Sequence, residues 1–200
     1  MATMEELREG VRRQLPEVNE IRDKDLRDRV VEAWAISLSE SEFATIDDIP
    51  AQATPQHPLF EEGQGTQSGH FRGVARIALG IADGFEALHP NVKIDRDLLL
   101  ACALCHDLGK PYEMSLRNQE RWKKNVAAYG YPAIRHSVYG VHIALVAGLP
   151  EVVAHTAGTH SAEGELIQRS LLNTIVHFAD HGYWHLVDRA ELLVGAMYTK

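Results

Sequence analysis

Two hundred residues, 45% hydrophobic and 24% charged, allow one ordinary domain with a sizeable core and an N-terminal extension. Lys and Arg number 20 against 28 Asp and Glu, a formal charge of −8 that argues against a sequence-independent nucleic-acid binder, which needs a basic stripe. No apolar run reaches the roughly 20 residues that span a bilayer. The opening Met-Ala-Thr-Met-Glu-Glu also lacks the basic and apolar regions of a signal peptide, so a cytoplasmic location is expected.

Residues 1–15 suit a short charged helix with Leu7, Val11 and Leu15 on one side, stopped by Pro16. From Glu17 to about Glu40, Ile21, Leu26, Val30, Ala33, Trp34 and Leu38 recur at helical spacing. They predict an amphipathic helix on the core, its Arg and Asp in solvent. Between Ser41 and Gly69 the pattern breaks, with Pro50, Pro55, Pro58, Gly63 and Gly65 in a long irregular connection. A connection of that length reads as a lid over the neighbouring His70 or as a solvent-exposed insertion.

Ser68 or Gly69 opens the next helix, with Phe71, Val74, Ile77, Ala78, Ile81 and Phe85 on one face and His89-Pro90 at its end. Gly73, Gly80 and Gly84 cost helix propensity and predict close approach of another backbone. A buried helix follows from about Asp95 to Leu108. Cys102 and Cys105 lie inside it and read as small buried side chains, not as a redox or zinc pair. Pro111 to Pro132 is polar, aromatic and basic, either a solvated helical face or part of a substrate entrance. Further helices are predicted from His136 to Ala147, from Pro150 to Ala157, and from Glu165 towards Met197 as one helix or a pair. No strand alternation or repeat appears, so the expected fold is all-α, a compact multi-helix bundle.

The buried helix ends on His106, Asp107 and Lys110 around Gly109, which can terminate it. Adjacent helical side chains diverge by about 100°, but at a helix end both can converge on one ion. Imidazole with carboxylate suits a borderline transition metal, and an unpaired charge closing so apolar a helix is costly. Asp180 stands in a similarly apolar stretch, Ile175 to Asp180. His70 begins a helix whose next turn bears Val74 and Ile77, which points its imidazole inward. The plainer alternative for each is a capped or solvated helix end.

In the order His70, His106-Asp107, Asp180 the chain resembles the HD superfamily of metal-dependent phosphohydrolases, over roughly Gly69 to Asp188. The His-Asp-Leu-Gly-Lys form at 106–110 is similar to that of both the cyclic-dinucleotide phosphodiesterases and the inositol-oxygenase branch. The GYP motif of the former is missing from Thr159 to Glu165, which speaks against a cyclic-dinucleotide substrate. His136, with Gly140 four residues on, resembles the third histidine of the two-metal branches. His160 resembles the next ligand, with His155 as its rival. His142, His177, His181 and His185 fall on other helical faces.

The resemblance thus implies the metal ligands His70, His106, Asp107, His136, His160 and Asp180, with the site in the bundle core. Asp107 would bridge two divalent ions about 3.5–4 Å apart, iron or manganese first, with Mg, Co, Ni or Zn also fitting. It implies a phosphohydrolase cleaving a small phosphate ester or nucleotide with metal-acidified water. Asp107 and Lys110 are then catalytic, and Lys110 and Arg135 bind substrate; Lys110 as a plain helix-end cation is the bland alternative. An HD-type di-iron oxygenase acting on a small hydroxylated or phosphonate substrate is the rival function. A non-catalytic metal- or ligand-binding HD domain is a second one. The expected partner is a small-molecule substrate, with no nucleic-acid polymer and no membrane, and a homo-oligomer is compatible. The expected organisation is an N-terminal helical segment at 1–42, an irregular loop or lid at 43–69, and an HD-type metal-binding helical domain at 70–200.

Overall fold

The computed structural model describes residues 2–198; Met1, Thr199 and Lys200, at the ends of the expected segments, lie outside the described residues. The described chain forms ten α-helices: α1 (Met4–Gln14), α2 (Lys24–Ser39), α3 (Gln67–Leu88), α4 (Arg96–Cys105), α5 (Lys110–Met114), α6 (Leu116–Lys124), α7 (Val126–Tyr129), α8 (His136–Val146), α9 (Glu151–Thr159) and α10 (Leu171–Arg189). Single 3-10 turns occupy Pro16–Glu20, Ile46–Asp48 and Ala162–Leu166. Strand-like pairing among the described residues is confined to an isolated bridge between Phe60 and Leu193. The fold is all-α, and no described helix is long and apolar enough to cross a membrane.

Helix α4 is the axis. Past Arg96 and Asp97 its sequence is apolar all round, the pattern of a helix packed on every side, and Leu99 to Cys105 are at most 3% exposed. Asp95 starts it by accepting from the Leu98 amide at 3.0 Å, and α2, α3, α9 and α10 pack around it. Both cysteines are free and fully buried; burial pushes the Cys102 thiol up to about 12, which keeps it unreactive. At the other end, α2 supplies the partners that a buried helix terminus needs. Trp34 Nε1 donates to Leu104 O at 2.9 Å, and the Ser37 hydroxyl donates to Leu108 O. Trp34 also packs on Phe71 of α3, so the N-terminal helices share one apolar core with the rest.

The helix expected from Glu17 begins only at Lys24. The amides of Arg22 and Asp23 donate to Asp97 Oδ2 at 3.0 and 2.8 Å, and the Asp23 carboxylate caps α2 instead. Nor is every charge there solvated: Glu17 is buried and takes Arg72 Nε at 3.1 Å and Arg76 Nη2 at 3.3 Å, tying this segment to α3. Pro150 stands at the cap before α9 and not inside it.

The glycine expectation fails for α3. Gly80 and Gly84 face open space, and Gly73 leaves room for the Tyr183 ring, not for a backbone. The close backbone approach occurs at Gly109, where a Cβ would lie 2.0 Å from His136 O and 2.7 Å from the Gly140 amide. Helix α4 has already ended at Cys105. Gly109 is there because the turn from His106 to Lys110 rests directly on the start of α8.

The 43–69 connection is anchored. Ile46 and Ile49 are buried. Thr66 caps α3, and the Gln67 carboxamide donates to Pro50 O at 2.7 Å and Gln52 O at 2.9 Å. Phe60 joins Trp184, Val187 and Leu193 in a small second apolar cluster.

Candidate metal centre

Helix ends deliver most of the chemistry. His70 lies in the first turn of α3, His106 and Asp107 just past α4, His136 at the start of α8 and His160 at the end of α9; Asp180 comes from within α10. All six are buried. His70 Nε2 lies 3.2 Å from His106 Nε2, 3.3 Å from Asp107 Oδ2 and 3.4 Å from Asp180 Oδ1. His136 Nε2 and His160 Nε2 lie 3.3 and 3.5 Å from the other oxygen of Asp107, Oδ1. Asp107 therefore divides two histidine pairs, one oxygen to each. His155 turns away, its Nε2 accepting from the Ser170 amide at 3.2 Å.

Three of these imidazoles have their tautomer fixed from behind. His106 Nδ1 lies 2.6 Å from Ala103 O, and His160 Nδ1 lies 3.0 Å from Ala157 O. A carbonyl only accepts, so both Nδ1 atoms carry hydrogen and both Nε2 atoms present lone pairs. His136 Nδ1 is held by the Glu113 carboxylate, which also accepts from the His136 amide at 2.9 Å. Lone pairs of His136 and His160 thus face a carboxylate oxygen, which needs something positive between them. Asp107 Oδ1 and Asp180 Oδ1 are buried without a hydrogen-bond partner. Electron-rich atoms converging in this way fit a metal cation, and the geometry offers two groups, His70–His106–Asp180 and His106–Asp107–His160, with ligand atoms within 4.8 Å of one another.

The electrostatics agree. Burial works against the Asp107 carboxylate, yet Lys110, His106 and His136 hold its pKa well below the usual range. Burial likewise opposes a charged His106, but Asp107 and Asp180 raise its proton affinity, the same field that draws in a metal ion. His70 goes the other way: burial dominates and pushes its pKa down to about 4, keeping it neutral and able to ligate.

Lys110 and Arg135 stand beside this cluster, both engaged. Lys110 Nζ reaches Asp107 Oδ2 at 2.9 Å, Gln67 Oε1 at 3.2 Å and Gln52 O at 3.3 Å. Arg135 is gripped by Glu113 at 2.8 Å and Glu163 at 2.9 Å. Both border a cavity of about 440 Å³ that also exposes Asp107, His136, His160 and Asp180. Its remaining wall includes Trp184, His181, Met197 and Tyr198, with Ala53, Thr54 and His57 from the 43–69 connection. The basic and aromatic residues of 111–132 are not in that wall; α6 carries its Arg and Lys to solvent.

Sequence reasoning missed Glu113, Gln67 and His57. Glu113 follows Lys110 by three residues, a spacing that shares a helical face, and that was the readable signal. Gln67 and His57 offer none.

The sequence profile of the HD domain family matches residues 68–181, more than half of the chain. This chain belongs to the HD domain family. A curated relative, the dihydroneopterin 2',3'-cyclic phosphate phosphodiesterase of Methanocaldococcus jannaschii, is 26% identical over 168 residues, which are 80% of this chain and 64% of that protein. The chain therefore spans less than two thirds of that relative's length. No solved structure matches.

Proposed function

We propose that this chain is a divalent-metal-dependent phosphohydrolase that cleaves a small phosphate ester, with a phosphodiester the favoured class. The observation that carries the reading is the division of Asp107 between two pairs of Nε2 atoms, at the edge of a cavity that Lys110 and Arg135 also border. The relative named as a cyclic-phosphate phosphodiesterase supports the same class. His70, His106, Asp107, His136, His160 and Asp180 are the proposed ligands of two ions, iron or manganese. Bound ions would supply Lewis acidity and a water acidified to near neutrality.

The protein's own groups do the rest. Lys110 and the histidines keep Asp107 ionised, so it offers an oxygen to each side. Arg135, aligned by Glu113 and Glu163, presents a guanidinium to an anionic substrate. Trp184, Met197 and Tyr198 offer apolar surface to the organic part of the ester, and the segment at 51–57 limits water access. In this reading residues 43–69 cover the site, and residues 1–42 are a helical segment packed on the metal-binding helices.

The test is metal analysis of protein produced with manganese or iron, followed by product-release and oxygen-uptake assays. The expected result is anaerobic hydrolysis of a phosphodiester by the manganese-loaded protein, with loss of both metal and activity in Asp107→Ala. Two irons per chain with oxygen consumption on a hydroxylated or phosphonate substrate would establish the oxygenase alternative. Failure to bind any metal would leave the non-catalytic one.

A further inference from the structure

We infer that His57, on the connection between α2 and α3, is the general acid that protonates the leaving oxygen of the substrate. The inference rests on the phosphohydrolase reading. Neither the metal-ligand cluster nor Lys110 provides this function. The six proposed ligands direct their donor atoms inward, and the Lys110 ammonium already has three acceptors. Alkoxides leave poorly without a proton, and a positioned acid contributes roughly 10²–10⁴-fold.

His57 is half-buried in the wall of the cavity that exposes Asp107, His136, His160 and Asp180. Its Nδ1 is tied to Thr54 Oγ1 at 2.7 Å, which orients the ring; in this assignment Nε2 is the atom that meets the substrate. The connection that carries it is braced on both sides. Gln67 holds Pro50 O and Gln52 O on one side, and Phe60 packs against Trp184 on the other. A loop residue held this firmly can act as a positioned acid.

The step balances with water as the second reactant. The water oxygen bonds to phosphorus, and the bond from phosphorus to the leaving oxygen breaks with its electron pair on that oxygen. The Nε2 proton of the imidazolium passes to it. The proton shed by the water goes to solvent, from which His57 is reprotonated.

The cations sharing the cavity with His57 are Lys110 and Arg135; the carboxylates are Asp107, Asp180 and Glu165. The other titratable rings there are His136, His160, His181 and Tyr198. Burial first, then Arg135 and Lys110, hold the His57 pKa below its ordinary 6.5 in the free protein. An anionic phosphate bound beside it offsets both cations and raises it. The acid is therefore charged by the substrate it serves.

The experiment compares manganese-loaded wild type and His57→Ala on two diesters, adenosine 2',3'-cyclic monophosphate and bis(4-nitrophenyl) phosphate. The first expels an alkoxide and needs an acid; the second expels nitrophenolate and does not. The expected result is a loss of about 100-fold or more in kcat on the cyclic ester, at least tenfold greater than the loss on the aryl ester, with metal content and Tm maintained. Wild-type kcat/KM on the cyclic ester should also fall as pH rises through the His57 pKa, and the variant should lack that limb. Equal losses on both esters, no loss on either, or a retained limb would overturn the assignment. A loaded wild type that hydrolyses neither ester overturns the phosphodiester reading on which the assignment rests, a result separable from the others because it precedes any mutation.

Discussion

The ammonium of Lys110 stands 2.9 Å from Oδ2 of Asp107 and, on its far side, holds Gln67 Oε1 at 3.2 Å and Gln52 O at 3.3 Å. One buried side chain thus links the carboxylate at the centre of the histidine cluster to the start of α3 and to the connection before it. Its rings of contact, Phe71 at 5.8 Å and Trp184 at 5.5 Å, keep water away from the charge.

Removing that ammonium strands a buried carboxylate and two acceptors, Gln67 Oε1 on α3 and Gln52 O on the connection. Lys110→Met should destabilise the metal-free protein by about 3–5 kcal/mol and make residues 50–60 more sensitive to protease. Bound metal should survive, because the six proposed ligands remain, while turnover falls. Urea unfolding with and without manganese, alongside limited proteolysis, checks this; unchanged proteolysis would remove the linking role.

Glu113 supports the site from behind, through Arg135 and through the His136 imidazole. It fixes that imidazole's tautomer, and its pKa is lowered because His136 and Arg135 outweigh the cost of burial. Glu113→Gln keeps the shape but loses the charge, and metal affinity should drop about 10–100-fold. Titration of the metal-free variant with manganese, read by calorimetry, gives the value directly. An affinity equal to that of wild type would show that the Glu113 charge does not act on metal binding.

Two glycines in helical or turn backbone should respond in opposite directions. Gly84→Ala meets open space and should raise stability by about 0.8–1.0 kcal/mol through helix propensity. Gly109→Ala drives a methyl into His136 O, at 2.0 Å, and should lower the Tm and displace His136. Thermal melts of the pair, with and without metal, separate the two.

Acid should loosen the clamp on Arg135. Burial opposes ionised Glu163, but the Ser161 hydroxyl and Arg135 prevail and bring its pKa down to about 2, from an ordinary 4.5. The folded value lies below the unfolded one, so the contribution is complete above about 4.5 and disappears as pH falls towards 2. Wild type should therefore exceed Glu163→Gln in stability at neutral pH and lose that advantage across this window. Urea midpoints measured from pH 7 to pH 2 decide it.

Much of this was readable in the chain, for identifiable reasons. The run from Leu98 to Cys105 is apolar on all sides, so its burial follows from composition alone, and a charged pair closing such a run must be matched by something. The cap residue Asp95 is a local signal of the same kind. Gly80, Gly84 and Gly109 were not separable in this way, because a glycine's neighbours are set by distant backbone. The late start of α2 also depended on a distant group, Asp97, taking the amides of Arg22 and Asp23.

The sequence by itself determined an all-helical chain with His106, Asp107 and Asp180 set in apolar stretches, since periodicity and the cost of buried charge are local quantities. Tertiary structure decided which histidine of the 155/160 pair faces Asp107, that Glu113 stands behind His136, and that His57 shares the cavity. Those relations join residues far apart in the chain. They depend on how helix ends converge in space, which no short-range pattern encodes.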